Sequence, residues 1–550
     1  MGAYGHTPQA TSKSPDSDND ELPDDWEIEF FGDLSLEAGD DPDRDLVSNI
    51  EEYHDGLNPT SPTAWWHVDG SAPTPGDGTS WETALKTIQK AVDVAPAGSI
   101  VLVAEGIYVE NIRFKGKNIA LASKDPLDPA VVAGTIIDGN QSGPVVTFYG
   151  TKDEICVLAG FTIRNGSAAN GGGICGSGAH ATIRNNVITG NVADGNGGGI
   201  YGCNGTIQNN VITENTANYG AGLYGCHGAI QNNTIADNAA RYGGGLARCD
   251  GTIENNAIAN NSADMYGGGI ARCHGSIRNN RITRNSAGMY GGGFYGCDGM
   301  IQSNTITANS ADYRGGGLDN CLATIQNNII TGNSATWNGG GLYTCDGIIL
   351  SNTIVGNRAA YCGGGLDFCG GVIRNCIIWA NSAVHGDQLY DSSVPTYSCI
   401  QDWTGGGEGN IAEAPLFLDP DGADNDPGTS EDNDYRLSPD SPCVDAGQND
   451  DWMWNAVDLD GNSRIVNGTV DIGAYEYRCT ITGVGTGASG EPVLTWTSRA
   501  GETFTVWSCA DLLTGEWIEE ATIQSGGTST TWSDSATTST RKFYKVELRQ

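Results

Sequence analysis

From about residue 160 to residue 385 the apolar positions come in runs of only two or three, separated by Gly and Asn, and the whole pattern returns every 23 or 24 residues. One unit reads GGGIYGCNGTIQNNVITENTANY, and the next begins at Gly220. Gly triplets start at 171, 197, 243, 267, 291, 315, 339 and 363, with Gly220-Ala221-Gly222 in the remaining slot and one early step of 26 residues. No unit carries a helical period, and a repeat of this length marks a solenoid. Short β-branched runs divided by Gly and Asn turns predict three brief strands per coil, stacked in parallel at roughly 4.8 Å per coil. The expected fold class is therefore all-β, a parallel β-helix of about nine such coils.

The columns that stacking creates say what each repeated position does. Equivalent Ile residues (Ile200 and Ile270, Ile207 and Ile230, Ile212 and Ile235) predict an inner aliphatic lining. One Asn recurs at 165, 191, 215, 238, 261, 285, 309, 333, 357 and 381, and a second at 186, 210, 233, 256, 280, 304, 328 and 352. Stacked amides bond to one another along the axis, so both are expected to be structural ladders. A third ladder runs through the cysteines at 203, 226, 249, 273, 297, 321, 345 and 369. A catalytic thiol would be singular, so these eight are expected to be small buried hydrophobes.

The flanks differ in pattern. Residues 1–15 are a polar tail without periodicity, expected to be disordered. Residues 16–62 hold two acidic loops: Asp16, Asp18, Asp20, Asp24 and Glu27, then Asp41, Asp43, Asp45, Asn49 and Glu52, each at positions 1, 3, 5, 9 and 12. That spacing wraps hard oxygens around Ca2+ and ends on a bidentate Glu. The usual glycine at position 6 is replaced by Glu21 and Leu46, which strains the turn. The segments DSDNDELPDDWEIEFFGDL and DDPDRDLVSNIEEYHDGLNPTSP resemble the thrombospondin-type-3 and EF-hand-like calcium modules of bacterial surface proteins, and the resemblance implies a rigid spacer cemented by calcium.

Residues 63–150 are expected to form the cap a solenoid needs at its open end, together with its first irregular coils. Trp81 to Ala95 predicts one amphipathic helix with Leu85, Ile88 and Val92 on its buried face. Ile100 to Val103, Ile107 to Ile112, Ile119 to Ala122 and Val145 to Phe148 predict strands. The stretch GDGTSWETALKTIQKAVD, followed by GSIVLVAEGIYVENI, resembles the opening segment of pectate-lyase-like proteins, which implies a right-handed helix. The regular coils are assigned to 151–400 and a closing segment to 401–478, where DYRLSPDSPCVDAGQ and DLDGNSRIVNGTVDIGAYEY resemble the end of bacterial surface β-helix proteins. That resemblance implies a lower cap, with Cys399 and Cys443 as a candidate disulfide. Residues 479–550 alternate as strands (Val493 to Trp496, Phe504 to Trp507, Phe543 to Leu548) and predict a small β-sandwich suited to attachment or spacing.

Charge narrows the partners. There are 67 carboxylates against 28 Lys and Arg, a formal charge of −39, which repels nucleic acid and anionic membranes and attracts divalent cations. No run of about 20 apolar residues is present to insert in a membrane. Met1 to Ala10 lacks the basic and apolar regions of a secretory signal, so the expected extracellular or cell-surface location rests on composition.

Three columns are candidates for function. The turn before each triplet carries Tyr219, Tyr242, Tyr266, Tyr290, Tyr313, Trp337 and Tyr361, a row of rings suited either to packing between coils or to a polysaccharide. The residue after each ladder cysteine (Asn204, His227, Asp250, His274, Asp298) suits left-handed turns better than a metal. The strand after the triplet carries Arg248, Arg272, Asp319 and Asp367 among tyrosines, with the arginines and aspartates two coils apart. The expected function is a calcium-stabilised surface scaffold that binds polysaccharide without cleaving it. The rivals are a polysaccharide lyase or glycoside hydrolase of the pectate-lyase-like class, and a self-associating structural protein.

Overall fold

The computed structural model describes residues 16–18, 20–42, 48–50, 53, 59–60, 65–149, 156–423, 433–466, 468–488, 490–510, 516–534 and 542–549. The chain is mostly β, a parallel β-solenoid of about 12 turns with few helices and small antiparallel sheets near its C-terminus. It divides into two compact units, Met1–Ala239 with Cys249–Gly251, and Ala240–Arg248 with Thr252–Gln550.

In the first unit the solenoid starts earlier than the regular repeat. Trp65–Val68 pairs in parallel with Ile100–Val103, which pairs with Ala120–Ser123 and then Val157–Ala159. These opening strands are why the turns outnumber the nine expected. The predicted helix is shorter than expected, spanning Ile88–Val94. Leu85 is drawn out of it because its N–H donates to His67 O and its carbonyl accepts from Asp69 N, which aligns it beside Val68. The Glu110 carboxylate then receives the free N–H groups of Ile88 (3.0 Å) and Gln89 (2.9 Å) and caps the helix from outside. Leu85, Ile88 and Val92 are buried as predicted.

The regular coils of both units carry four short strands, one more than the pattern predicts. In the second unit one coil runs through Ser276–Arg278, Arg281–Thr283, Ser286–Ala287 and Phe294–Tyr295, and each strand pairs in parallel with its counterpart in the next coil. The overlooked strand is the Ser-Ala pair. Its inward residue (Ala287, Ala311, Ala335) is buried but too small to register as an apolar run. Ile and Leu fill the other inward positions: Ile277, Ile301 and Ile325 on one side, Ile282, Ile306 and Ile330 on the next.

Corners explain the rest of the repeat. In each Asn-Asn pair the first residue turns the chain in the left-handed region (Asn279, φ 55°) and the second enters the core, because Asn tolerates that backbone at little cost. The buried amides stack as expected: Asn280 Nδ2 donates to Asn304 Oδ1 at 3.0 Å, Asn304 to Asn328 at 3.1 Å, and Asn328 to Asn352 at 3.0 Å. The Gly triplets are steric. A Cβ on Gly316 would lie 2.4 Å from Ser334 O and 2.5 Å from Gly340 O, so adjacent coils meet backbone to backbone there. The ladder cysteines are fully buried, and Cys203, Cys226, Cys273, Cys297, Cys321, Cys345 and Cys369 donate to the carbonyl two residues back, as Cys321 does to Asp319 O at 3.5 Å.

The closing segment packs Tyr435, Leu437, Val444, Ile472 and Tyr477 against Ile329, Val355 and Ile377 of the last coils. A fully buried Arg464–Glu476 ion pair (3.2 Å) pins it, with Arg464 also donating to Asn327 Oδ1 and Gly473 O. Cys399 and Cys443 share this core as free thiols. Beyond it, Ile481–Thr486, Pro492–Thr497 and Ser529–Ser533 form one antiparallel sheet, and Ile518–Gln524, Thr503–Cys509 and Phe543–Leu548 form another. Leu494, Trp496, Phe504 and Val506 are the core of this β-sandwich.

Candidate functional site

The first acidic loop is built like a cation cradle. Carboxylate oxygens of Asp16, Asp18 and Asp20 lie within 4.8 Å of one another. Glu27, in the short helix Asp24–Phe30, is fully buried with neither carboxylate oxygen hydrogen-bonded. Asp16 Oδ1 and Asp20 Oδ2 are buried and unpartnered too. Burial, then the charges of Asp18, Asp20, Asp24 and Asp16, push the Glu27 carboxyl up to about 7. Isolated buried carboxylates are costly, and a hard divalent cation with oxygen ligands removes that cost. Glu21 does adopt φ 82°, the backbone a position-6 glycine would take. Asp24 plays a different part: its carboxylate accepts from Ser17 N (2.7 Å) and Ser17 Oγ (2.6 Å), which ties the loop closed and lowers its pKa. Of the second loop, Asp43, Asp45 and Glu52 lie outside the described residues. Asp41 and Asn49 lie within them, and buried Asn49 donates through Nδ2 to Glu37 O (3.0 Å) while its Oδ1 has no partner.

The turn aromatics do not form one column. In the first unit Tyr219 is exposed and meets Tyr224 edge-on at 6.3 Å. In the second unit Tyr242, Tyr266 and Tyr290 immediately precede their triplets, whereas Tyr313, Trp337 and Tyr361 stand one residue earlier. Backbone register follows the triplets, so Tyr266 and Tyr290 are continued by Arg314, Asn338, Cys362 and His385. The expectation of a single aromatic slot is thereby corrected to an inner and an outer row. Inner rings cover each other: Tyr266 and Tyr290 stack at 5.2 Å and 9°, and Tyr295 lies on Tyr266 at 4.7 Å. Outer rings are 40%, 49% and 50% exposed and mutually tilted, 5.8 Å from Tyr313 to Trp337 and 6.1 Å from Trp337 to Tyr361.

Sequence reasoning missed Arg314, which stands in the turn rather than on the strand that carries Asp319 and Asp367. Its guanidinium lies over Tyr290 (4.6 Å), Tyr313 (5.1 Å) and Tyr343 (4.6 Å) and donates to the Tyr343 hydroxyl at 2.8 Å. A Cβ on Gly315 would meet Asp319 Cβ at 2.5 Å, so the triplet folds the two columns against each other and brings Asp319 under the influence of Arg314. Burial pushes Asp319 up to about 8 against the opposing effect of Arg314, and Asp367 up to about 6. The signal available in the sequence was the break itself, an Arg where neighbouring coils carry Tyr.

The other candidates are structural. His274 Nδ1 accepts from Asp298 N at 3.3 Å and His227 Nδ1 from Asp250 N at 3.3 Å, bonds between successive coils on exposed corners, and the left-handed backbone expected of these residues falls instead on the residue before the cysteine, as at Arg248 (φ 52°) and Arg272 (φ 53°). Burial holds the Cys376 thiol up at about 11 and Cys156 at about 12, so neither is a ready nucleophile.

The repeat itself matches a family model described as a right-handed β-helix region, over residues 130–293. The solenoid is a right-handed parallel β-helix. A second model, described as the periplasmic copper-binding protein NosD, matches residues 246–415 of this β-helix. Among solved structures, the pectate lyase Pel9A aligns with 75% of the chain and 96% of its own, at 15% identity and a TM-score of 0.34. XylC in complex with xylose aligns with 85% of the chain and all of its own, at 9% identity and a TM-score of 0.33. No curated protein matches. The NosD description raises copper as a ligand, and residues 246–415 offer no cluster of three donor side chains to hold it. The ladder thiols stand one per coil, and among the described residues the sole set of three His, Cys, Asp or Glu ligand atoms within 4.8 Å is Asp16, Asp18 and Asp20.

Proposed function

We propose that this β-helix is an extracytoplasmic scaffold, ordered at its N-terminus by calcium, that holds a polysaccharide on its turn aromatics without cleaving it. The observation that carries the binding reading is the outer row of half-exposed rings at Tyr313, Trp337 and Tyr361, one per coil. Aromatic faces suit the apolar faces of pyranose rings, and weak contacts in line add through multivalency. Calcium is supported by the orphaned oxygens around Glu27, and the extracytoplasmic setting by the periplasmic description of the NosD family. The C-terminal β-sandwich is the segment proposed to serve attachment. A glycan array on the full chain, run beside an assay for unsaturated and reducing-end products, tests the reading: retained glycan with no product is the expected result, and no glycan retained refutes it.

One observation favours cleavage as a second reading. Asp319 and Asp367 occupy equivalent positions two coils apart with Tyr343 between them, about 10 Å at the usual strand spacing, and burial shifts their carboxyls differently. Carboxyls with separated pKa values are the raw material of acid–base hydrolysis. Sugar release by wild type that disappears in Asp319→Asn would install this reading in place of the first.

A further inference from the structure

Five buried polar atoms without hydrogen-bond partners fall in one block of three consecutive coils: Arg314 Nε, Asn338 Oδ1, Asp319 Oδ2 and both carboxylate oxygens of Asp367. Asp319 is 4% exposed and Asp367 fully buried. Such atoms are uncommon in folded proteins, and they call for a partner. They belong to two neighbouring columns. Arg314 and Asn338 follow one another before the triplets, and Asp319, Tyr343 and Asp367 follow one another after them. The same three coils carry the outer rings Tyr313, Trp337 and Tyr361, joined by Trp337 N to Tyr313 O (3.0 Å) and Tyr361 N to Trp337 O (2.8 Å).

We propose that this block, with the outer rings as its apolar wall and Arg314, Asn338, Asp319 and Asp367 as its polar side, binds a short run of neutral, hydroxyl-rich sugar units. The inference rests on the glycan-binding reading above and narrows it in position and in class. Position follows from ring geometry. Tyr266 and Tyr290 spend their faces on each other at 9°, whereas the outer rings are tilted by 49° and 60° and keep face area in solvent. Class follows from the polar atoms. Asn338 Oδ1 and the two Asp367 oxygens are acceptors, Arg314 Nε is a donor, and the Asp319 carboxyl can be either, so the complement must both donate and accept, as sugar hydroxyls do. An acidic glycan would set its carboxylates against Asp367. Arg314 is already held between three tyrosine rings, and the chain carries a formal charge of −39, which disfavours a polyanion further. From Tyr313 to Tyr361 the wall covers two coil rises, about 10 Å, the scale of a short oligosaccharide.

The test is isothermal titration of the full-length protein with cellohexaose, xylohexaose and mannohexaose as neutral probes and hexagalacturonate as the acidic one. At least one neutral probe should bind. Trp337→Ala should weaken it about tenfold, the scale of one good aromatic contact, and Trp337→Phe should restore most of the loss. Asp367→Asn, which keeps the side-chain shape, should weaken it too, while Tyr149→Ala, an exposed ring outside the row, should not. A neutral probe that binds wild type and Trp337→Ala equally overturns this site and leaves the proposed function standing. Hexagalacturonate as the preferred ligand overturns the neutral-sugar assignment. No binding by any probe overturns this inference and the glycan reading together.

Discussion

Replacing Asn280 by Leu should cost the solenoid several times more than replacing Cys273 by Ala, although both side chains are buried in neighbouring parts of one coil. Asn280 Nδ2 is directed at Ile253 O (2.8 Å), Arg278 O (2.9 Å) and Asn304 Oδ1 (3.0 Å), and its Oδ1 receives Asn256 N (2.9 Å) and Asn256 Nδ2 (3.0 Å). Leucine fits the volume and offers none of these bonds. Some losses are cushioned, since Arg278 O also accepts from Asn255 N and Asn304 Oδ1 from Asn280 N. The Asn256 backbone N–H is deprived of its acceptor in a dry interior, which costs about 1–3 kcal/mol, and two or three further net bonds go at about 1 kcal/mol each. The sum is about 3–6 kcal/mol. Cys273→Ala deletes one sulfur and its 3.6 Å bond to Ala271 O, a carbonyl that already accepts from Arg248 N. That is a methyl-sized cavity worth about 1 kcal/mol.

A long repeat array need not unfold in one step, so a single midpoint is a poor gauge. Hydrogen exchange read by mass spectrometry, peptide by peptide, resolves the coils. Asn280→Leu should strip protection from 253–304 under conditions where Cys273→Ala leaves it near wild type. Equal loss in both variants would mean that the amides are not what ties coil to coil, and the ladder argument would fall.

Three further outcomes follow from the same structure. Calcium titrated into the full chain should bind, Glu27→Gln should weaken it by about tenfold or more, and EDTA should raise exchange in 16–42 while the coils stay protected; a flat titration would dismiss the cradle. Between about pH 4 and pH 8 the unfolded chain gives up the Asp319 proton while the folded chain, with this carboxyl at about 8, keeps it, so stability should fall as pH rises through that window and level off above it. Asp319→Asn should flatten that part of the urea-midpoint profile, and an unchanged profile would show that the group ionises freely. Gly316→Ala should destabilise the coils because its Cβ meets two backbone carbonyls, whereas Gly356→Ala, strained by φ 66° but meeting only Thr331 Oγ1 at 3.9 Å, should cost less; chemical denaturation of the pair decides it.

Much of the fold was legible because each regular coil repeats its inward residues. Ile277, Ile301 and Ile325, or Asn280, Asn304 and Asn328, announce a column by identity alone. What escaped was whatever periodicity does not mark. The fourth strand hid because its inward residue is Ala, indistinguishable by pattern from a turn. The helix boundary was misplaced because Leu85 lies on the right helical face but answers to His67 and Asp69, residues distant in sequence. In the first acidic loop Asp16, Asp18 and Asp20 come together, whereas Asp24, expected to face an ion, closes on Ser17, a short-range choice that spacing does not reveal. Arg314 was invisible to a search for repeats because it occurs once.

That last miss has a physical logic which ties fold to function. In the coils before it the turn reads Met265-Tyr266-Gly267 and Met289-Tyr290-Gly291, with the aromatic next to the triplet. From Tyr313-Arg314-Gly315 onward the aromatic moves one residue back, giving Trp337-Asn338-Gly339 and Tyr361-Cys362-Gly363. Two consequences follow from one shift. The ring moves from the inner row, where Tyr266 and Tyr290 stack face to face, to the outer row, where Trp337 is 49% exposed. The vacated inner slot passes to Arg, Asn and Cys, beside strand positions that become Asp319, Tyr343 and Asp367. Because inward ladders and Gly triplets carry the coil-to-coil bonding, the columns on either side of a triplet vary without disturbing the stack. A site confined to the three coils where both columns change is what such a scaffold permits, and five unpartnered polar atoms lie in those same coils.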